Sequence, residues 1–415
     1  MSDIDKVRSS IESEAGTVEY AVGYRWVILA LMFFLQASAS MAIFSFGPLA
    51  PFLQESLGIT RAQVGMFSSA IYMGMLLFGT HAGWLTDKFG IRLFLIAGPG
   101  IAALFFLSLA LTRSFIPALL IVFISGIGYQ FITPASVKTI TQWFPPTMRG
   151  TAIGIRQAGV SFGGAIGAVI LPIIALSWGW RGGVISIGVI ILAVVILCRV
   201  FYRENHAESE LSRSTLVTLK DLGQIVTNRN ILLQSAVGVM YCAPSVALST
   251  YLVLYLKETL LVTIVMAGTC LMVFQLGSVG GRVLWGVVSD RIFKGKRKGT
   301  MIIMGILIAV MSVITMFIFP SIPRWLIYVI FAVFGFSVGI HGVHATFLAE
   351  LSGRKMAATG VGFGTATAAL GMVIATPIFG YIVDKTDSYR IAWLFLAILG
   401  ILGAILASLV HEETD

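Results

Sequence analysis

Charged residues are scarce in this 415-residue chain: they make up 11% of it, whereas hydrophobic residues make up 57%. A soluble protein carries about 25% charged residues. This shortage argues against a water-soluble enzyme or nucleic-acid-binding domain, so we expect a polytopic membrane protein. The net charge of +9 is then explained by lysine and arginine residues in loops on the cytoplasmic side of the bilayer.

Cysteines are also few. Cys198, Cys242 and Cys270 all fall in apolar runs, and their odd number and irregular spacing indicate neither a disulfide framework nor a zinc site. The sequence has no nucleophile–base arrangement and no phosphate-binding loop. Its glycine-rich stretches lie in bilayer-length segments, where small residues let helices pack closely. We therefore predict no enzyme activity, no metal, no cofactor and no nucleic-acid partner.

Twelve apolar segments have the length of about 20 residues that a membrane-spanning helix needs. They predict an all-α membrane protein with two six-helix bundles and the bilayer as its surroundings. The first 24 residues include five acids, unlike a cleavable signal peptide, so we expect the first segment to be retained. The predicted divisions are a tail at 1–25, a bundle at 26–202, a central loop at 203–230, a second bundle at 231–410 and a tail at 411–415. The segments lie near 26–47, 62–85, 92–112, 116–140, 151–173, 182–202, 231–256, 263–288, 300–319, 325–349, 357–383 and 390–410.

The distribution of basic residues predicts the orientation. With the N-terminus inside, eighteen of the 28 lysines and arginines lie on the cytoplasmic side and seven on the outer side, while Lys138, Arg156 and Arg282 fall within segments. The bias puts both termini in the cytoplasm. We expect a monomer in the inner, or plasma, membrane.

The two halves carry a repeated loop motif. Gly83-Trp84-Leu85-Thr86-Asp87-Lys88-Phe89-Gly90-Ile91-Arg92 follows the second segment, and a partial copy from Gly286 to Arg291 follows the eighth. Asp87 and Asp290 are 203 residues apart, about half the chain. With the six-plus-six layout, this motif resembles the loop signature of the major facilitator superfamily. The resemblance implies alternating access by rocking of two bundles around a site near mid-membrane.

Asp87 and Asp290 are interpreted as parts of a cytoplasmic gate. A carboxylate near a helix end can accept bonds from backbone N–H groups of a facing helix or pair with basic residues, and such contacts break when that side opens. An ordinary solvated loop charge is the alternative. The predicted gate residues are Gly83, Asp87, Arg92, Arg149, Asp290 and Arg354. Lys138, near the inner end of its segment, is expected to be a surface anchor.

Acidic residues are missing at the depth of Arg156 and Arg282. A charge inside a bilayer persists where it faces a cavity, a partner or a substrate, so these arginines point to a small anionic substrate. The run Gly280-Gly281-Arg282 through Asp290 resembles the eighth helix of monocarboxylate and oxalate/formate carriers. That resemblance implies that Arg282 binds a substrate carboxylate. The oxalate exchangers have a lysine in helix eleven, whereas the run from Gly360 to Pro377 has no cation.

Each arginine also has a structural interpretation. Arg282 could be hydrogen-bonded to helix carbonyls or reach the cytoplasmic surface. Arg156 could belong to a gate, or its long side chain could reach back to the inner surface. Other polar residues of the segments could donate hydrogen bonds in a central cavity, although aromatic residues at such positions more often pack. The full set of candidate substrate-binding residues is Arg282, Arg156, Tyr129, Gln130, Tyr72, Gln36 and Tyr241.

His341 is the candidate for proton coupling, because histidine titrates near neutral pH and the segments offer no buried acid. The alternative is a satisfied polar group between helices, for His341 and His344 alike.

The sequence thus predicts secondary active transport of a small organic anion, most simply a lactate- or pyruvate-like monocarboxylate, with protons or a counter-anion as coupling partner. Export of amphipathic or drug-like compounds, transport of a dicarboxylate, and a non-transporting membrane sensor are the alternatives. The sequence leaves open the direction of transport, the coupling ion and its stoichiometry.

Overall fold

A computed structural model describes the backbone of residues 3–203 and 219–412, and side chains from residue 23 onward except at 80, 146, 219–222, 354, 355 and 358. Within these ranges the chain is almost entirely helical. The helices are α1 (Asp3–Ile43), α2 (Phe46–Leu57), α3 (Arg61–Phe89), α4 (Ile91–Ser108), α5 (Phe115–Gln130), α6 (Ile132–Trp143), α7 (Pro146–Phe201), α8 (Leu219–Thr227), α9 (Arg229–Leu260), α10 (Ile264–Val287), α11 (Arg297–Met316), α12 (Arg324–Ser337), α13 (His341–Thr386) and α14 (Tyr389–Leu409).

Eleven stretches of the described residues are long and apolar enough to cross a membrane. One of them, Thr147–Phe201, would be about 80 Å long if straight, far more than the roughly 30 Å of a bilayer core. It turns at Gly179, whose φ of 67° suits glycine. This stretch therefore crosses twice, and the predicted all-α fold with twelve spanning segments is confirmed.

Helices α1 to α7 form the first bundle and α9 to α14 the second. Residues 204–218 of the predicted central loop lie outside the described residues, and the short helix α8 follows them. Polar caps start several helices: Thr60 accepts a bond from the Gln63 N–H at α3, and Asn228 accepts from Asn230 and Ile231 at α9. These caps fix where α3 and α9 begin, and the predicted bounds of the central loop, 203–230, stay a prediction.

One spanning segment of the second bundle is broken in its middle. Helix α12 ends at Ser337 and α13 begins at His341. Helix α10 lies directly beside the break, because a Cβ atom on Gly339 would lie 2.6 Å from the backbone nitrogen of Arg282. Only glycine permits this approach, and it holds Arg282 next to the break.

The two bundles are joined by polar contacts at one end, which we call the sealed end and define by Arg61, Glu258 and Asp384. The Asp384 carboxylate accepts hydrogen bonds from the backbone N–H groups of Arg61 (3.1 Å) and Ala62 (2.8 Å). It therefore caps the N-terminus of α3, a helix of the other bundle. The Arg61 guanidinium pairs with Glu258 at 2.9 Å.

Further contacts extend the sealed end towards the molecular centre. The Tyr251 hydroxyl donates to the backbone oxygens of Arg61 and Thr376, both at 2.8 Å. Ser68 and Thr250 share a hydrogen bond of 2.9 Å between their hydroxyls. These bonds join residues 61–69 of α3 to the matching halves of α9 and α13, so polar contacts between the bundles close the cleft at this end.

Substitution of Asp384 tests this closure. In Asp384→Asn the negative charge at the N-terminus of α3, one of the two acceptor oxygens and the 3.6 Å ion pair with Arg61 are lost. Loss of a charge at a helix N-terminus costs about 1 kcal/mol. The ratio of closed to open states at this end should fall about fivefold. The measurement is the labelling rate of Ser68→Cys by a water-soluble maleimide after the three native cysteines are replaced by alanine.

Asp387→Asn is the matched control, because Asp387 is exposed and lies 3.8 Å from the Arg61 guanidinium. Asp387 is the C-cap residue of α13 and does not cap the N-terminus of α3. Equal labelling rates in the two variants would contradict the capping role of Asp384.

Candidate functional site

Arg282 lies on α10 between the bundles, beside the break at residues 338–340. Its side chain is half-buried and its Nε atom is buried without a hydrogen-bond partner. Tyr72 of the first bundle and Cys242 and His341 of the second lie within electrostatic range of the guanidinium. Among the described residues, no carboxylate pairs with it and no carbonyl accepts from it. The structural interpretation of Arg282 as a carbonyl-bonded residue therefore has no support.

This guanidinium is an uncompensated positive charge in a largely apolar interior. Guanidinium presents a planar set of donors that matches a carboxylate with two parallel hydrogen bonds. Burying such a charge without a partner is costly. An anion that enters from the open end of the cleft would supply the missing acceptors.

Arg156 differs from Arg282 because three of the five N–H donors of its guanidinium have hydrogen-bond partners. It is 3% exposed and donates to Ser136 Oγ at 2.8 Å, Gln36 Oε1 at 3.2 Å and Gln157 Oε1 at 2.6 Å. All three acceptors are neutral, and Nε is buried without a partner. Arg156 thus lies inside the first bundle, held by a polar network rather than reaching back to a membrane surface.

Tyr72 is the aromatic candidate that the structure brings to Arg282. Its half-buried side chain lies within electrostatic range of the guanidinium. It also lines a narrow gap between the bundles, too small to hold a water molecule, together with Ser68 and Thr250. Gln36 is 8% exposed and serves as an acceptor for Arg156, so it belongs to the network of the first bundle.

Two predicted ligands are buried in the bundle cores. Tyr241 is fully buried and donates to the Met301 backbone oxygen at 2.9 Å, against Gly305 and Gly403. The hydroxyl of Tyr129 is buried without a partner. The structure brings neither side chain to Arg282: Tyr241 packs against small residues of other helices, and Tyr129 is 2% exposed. Gln130 is half-buried, and its Nε2 atom lies 3.6 Å from where a Cβ on Gly79 would be.

The two histidines lie on the first turn of α13. His341 is half-buried and within electrostatic range of Arg282 and His344. His344 is 3% exposed, and its Nδ1 atom lies 3.0 Å from the Gln234 amide nitrogen. His341 therefore has the position that proton coupling to a substrate at Arg282 requires, and its role stays a prediction.

The predicted gate residues lie at the end opposite the sealed end. Asp87 forms an ion pair with Lys138, and Asp290 with Arg297, each within its own bundle. Arg149 donates to the backbone oxygens of Thr141 and Phe144. Gly83 is half-buried and Arg92 is exposed, and the side chain of Arg354 lies outside the described residues. Lys138 is thus the partner of Asp87 rather than a free surface anchor.

Sequence reasoning missed Gln157, Ser136 and the break in the tenth span. Gln157 could have been found, because it directly follows a buried arginine and its amide is a suitable acceptor. Ser136 lies twenty residues away in another helix, and nothing in the local sequence links it to Arg156. Among the described residues no group of three or more histidine, cysteine, aspartate or glutamate side chains is arranged to hold a metal ion.

The two buried tyrosines make a matched test of stability. Tyr241→Phe removes a satisfied hydroxyl and should lower the free energy of unfolding by about 1 kcal/mol. Tyr129→Phe removes a hydroxyl that lacks a partner, so the free energy should stay equal or rise. Melting temperatures of the purified proteins in detergent check the opposite signs, and equal losses in both variants would contradict the hydrogen-bonding assignments.

Comparison with known proteins gives consistent relatives. Residues 32–349 and 240–415 match the family model of the Major Facilitator Superfamily. A probable sulfoacetate transporter of Cupriavidus necator is 26% identical, covering 93% of this chain and 94% of that protein. A hexuronate transporter of Bacillus subtilis is 31% identical over 39% of this chain and 38% of its own length.

A solved structure shares the fold. A bacterial homologue of the human lysosomal transporter Spinster, in an inward-facing and unoccupied conformation, aligns with a TM-score of 0.81 at 16% identity. The alignment covers 93% of this chain and 97% of that one. On the family match, the repeated loop motif and the two-bundle architecture, this chain belongs to the major facilitator superfamily.

Proposed function

We propose that this protein is a secondary transporter of a small organic anion, which binds at Arg282. The observation that carries the proposal is the guanidinium between the bundles that lacks an acceptor among the described residues. The relatives support it, because a probable sulfoacetate transporter and a hexuronate transporter are both named for organic anions.

The simplest substrate is a monocarboxylate. Arg282 has free donors for one anionic group, whereas the donors of Arg156 are directed to neutral oxygens of its own bundle. A lactate- or pyruvate-like anion satisfies this arrangement. A substrate with two anionic groups is the alternative, and the uptake panel described below separates the two.

Transport would proceed by rocking of the bundles about this site. In the orientation favoured by the basic residues, the sealed end faces outward and both termini face the cytoplasm, so the structure corresponds to an inward-open carrier. Closing the opposite end would bring the exposed loop motifs together. Asp87 and Asp290 would then exchange their partners within each bundle for contacts across the gate, with Gly83, Arg92, Arg149 and Arg354 as neighbours.

Coupling would involve His341 or a counter-anion. An anion bound at Arg282 offsets the positive charge that His341 experiences, so anion binding favours protonation of the imidazole. This electrostatic linkage would make a proton travel with the anion. If exchange applies instead, a second anion would bind at Arg282 for the return step.

Replacement of Arg282 tests the proposal. Purified protein in liposomes is supplied with labelled lactate, pyruvate, formate, oxalate, succinate or sulfoacetate, with and without an inward proton gradient. For the transported anion, Arg282→Gln should lower kcat/KM at least tenfold, because charged hydrogen bonds contribute about 1.5–3 kcal/mol each. Arg282→Lys should keep part of the activity, since it retains the charge but not the planar set of donors.

Arg113→Gln is the control, because this exposed arginine lies outside the segments and its loss changes net charge equally. Uptake by Arg282→Gln equal to that of the parent protein would remove Arg282 from the site.

A further inference from the structure

Helices α7 and α10 face each other across the cleft between the bundles. A Cβ atom on Gly268 of α10 would lie 2.3 Å from the Ala168 backbone oxygen of α7. A Cβ atom on Gly164 of α7 would lie 3.3 Å from the Gln275 side chain of α10. The contact at the lower residue number in α7 is made to the higher residue number in α10, so the two helices run antiparallel. The two contacts also identify the face of each helix that lies against the other.

This register places Gln157 opposite Arg282. Gln157 precedes Gly164 by seven residues, and Arg282 follows Gln275 by seven. Seven residues make about two turns and a rise of about 10.5 Å, so each residue lies on the same face of its helix as the Gly164–Gln275 contact. Counted from the Ala168–Gly268 contact, the residue level with Arg282 is Gly154, so Gln157 lies within one helical turn of the depth of Arg282. Gln157 is exposed at this level and Arg282 is half-buried, as expected where the helices diverge.

Arg156 fixes the orientation of the Gln157 amide. Its guanidinium donates to Gln157 Oε1 at 2.6 Å, and arginine has donors only. The oxygen of the amide must therefore face Arg156, which leaves the NH₂ group free as a donor. Arg156 is itself held by Ser136 and Gln36, so this orientation is enforced from within the first bundle.

We infer that Gln157 is the substrate contact of the first bundle, with Arg156 as its positioning residue. The inference rests on the proposed function and names the substrate class more closely: a monoanion that also carries a hydroxyl or carbonyl oxygen. Arg282 binds the anionic group from one bundle, and the Gln157 NH₂ donates to the neutral oxygen from the other. Closure of the cleft brings the two groups to one ligand.

The test compares two probes that differ by one hydroxyl, lactate and propionate, with sulfoacetate as a probe that carries two anionic groups. Uptake into liposomes is measured for the parent protein, Gln157→Ala and Arg282→Gln. The parent should prefer lactate to propionate in kcat/KM roughly three- to tenfold, the contribution of one neutral hydrogen bond. In Gln157→Ala this preference should disappear, so that the kcat/KM values for lactate and propionate become nearly equal.

Arg156 is tested through the same ratio. Arg156→Gln should reduce the preference for lactate when Gln157 is present and have no further effect on it in the Gln157→Ala background. A merely structural role of Arg156 would lower uptake of both probes without changing their ratio. Because the ratio is internal to each preparation, partial loss of folded protein does not affect it.

The outcomes separate the two proposals. Lactate uptake that depends on Arg282, with a lactate-to-propionate ratio unchanged in Gln157→Ala, would overturn the role of Gln157 and leave the proposed function standing. Uptake of sulfoacetate but of neither monoanion would also overturn it, because a second anionic group would then face the first bundle. A parent protein that transports none of the three probes would count against the proposed function itself.

Discussion

An unpaired guanidinium in an apolar interior is the constraint on which the other features of the cleft depend. Removing a charge from water is costly, and the interior offers Arg282 no acid in return. Helix α10 carries Arg282 past the break in the tenth span, where Gly339 lets the two backbones approach closely. Under the proposed function, one anion would supply both the opposite charge and the missing hydrogen-bond acceptors.

The two arginines show how burial and hydrogen bonding separate residues that look alike in sequence. Both stand in apolar segments, but Arg156 donates to three neutral oxygens of its own bundle, whereas the described residues give Arg282 none. Under the two proposals, Arg156 would act through the amide of Gln157, and Arg282 would contact the anion directly. The first bundle would then offer the substrate a neutral donor and the second bundle a cation.

The sequence predicted the twelve spans and the two bundles, because hydropathy over 20 residues is a local property. The cost of a buried charge, also local, singled out Arg282, whose role stays a prediction. It could not predict that Tyr241 turns into a bundle core, since that depends on Gly305 and Gly403 in other helices. The pairing of Lys138 with Asp87 depends likewise on the packing of two distant segments. Contacts such as Asp384 with α3 join residues more than 300 positions apart, and no periodicity encodes them.

The cap that Asp384 places on α3 ties the conformational equilibrium to hydration. When the bundles separate at that end, two backbone N–H groups, a carboxylate and a guanidinium must all be solvated. Opening there takes up water into a crevice from which larger solutes are excluded. Osmolytes such as sucrose should therefore favour the sealed state, and the carrier's resting conformation becomes sensitive to the osmotic conditions of the medium.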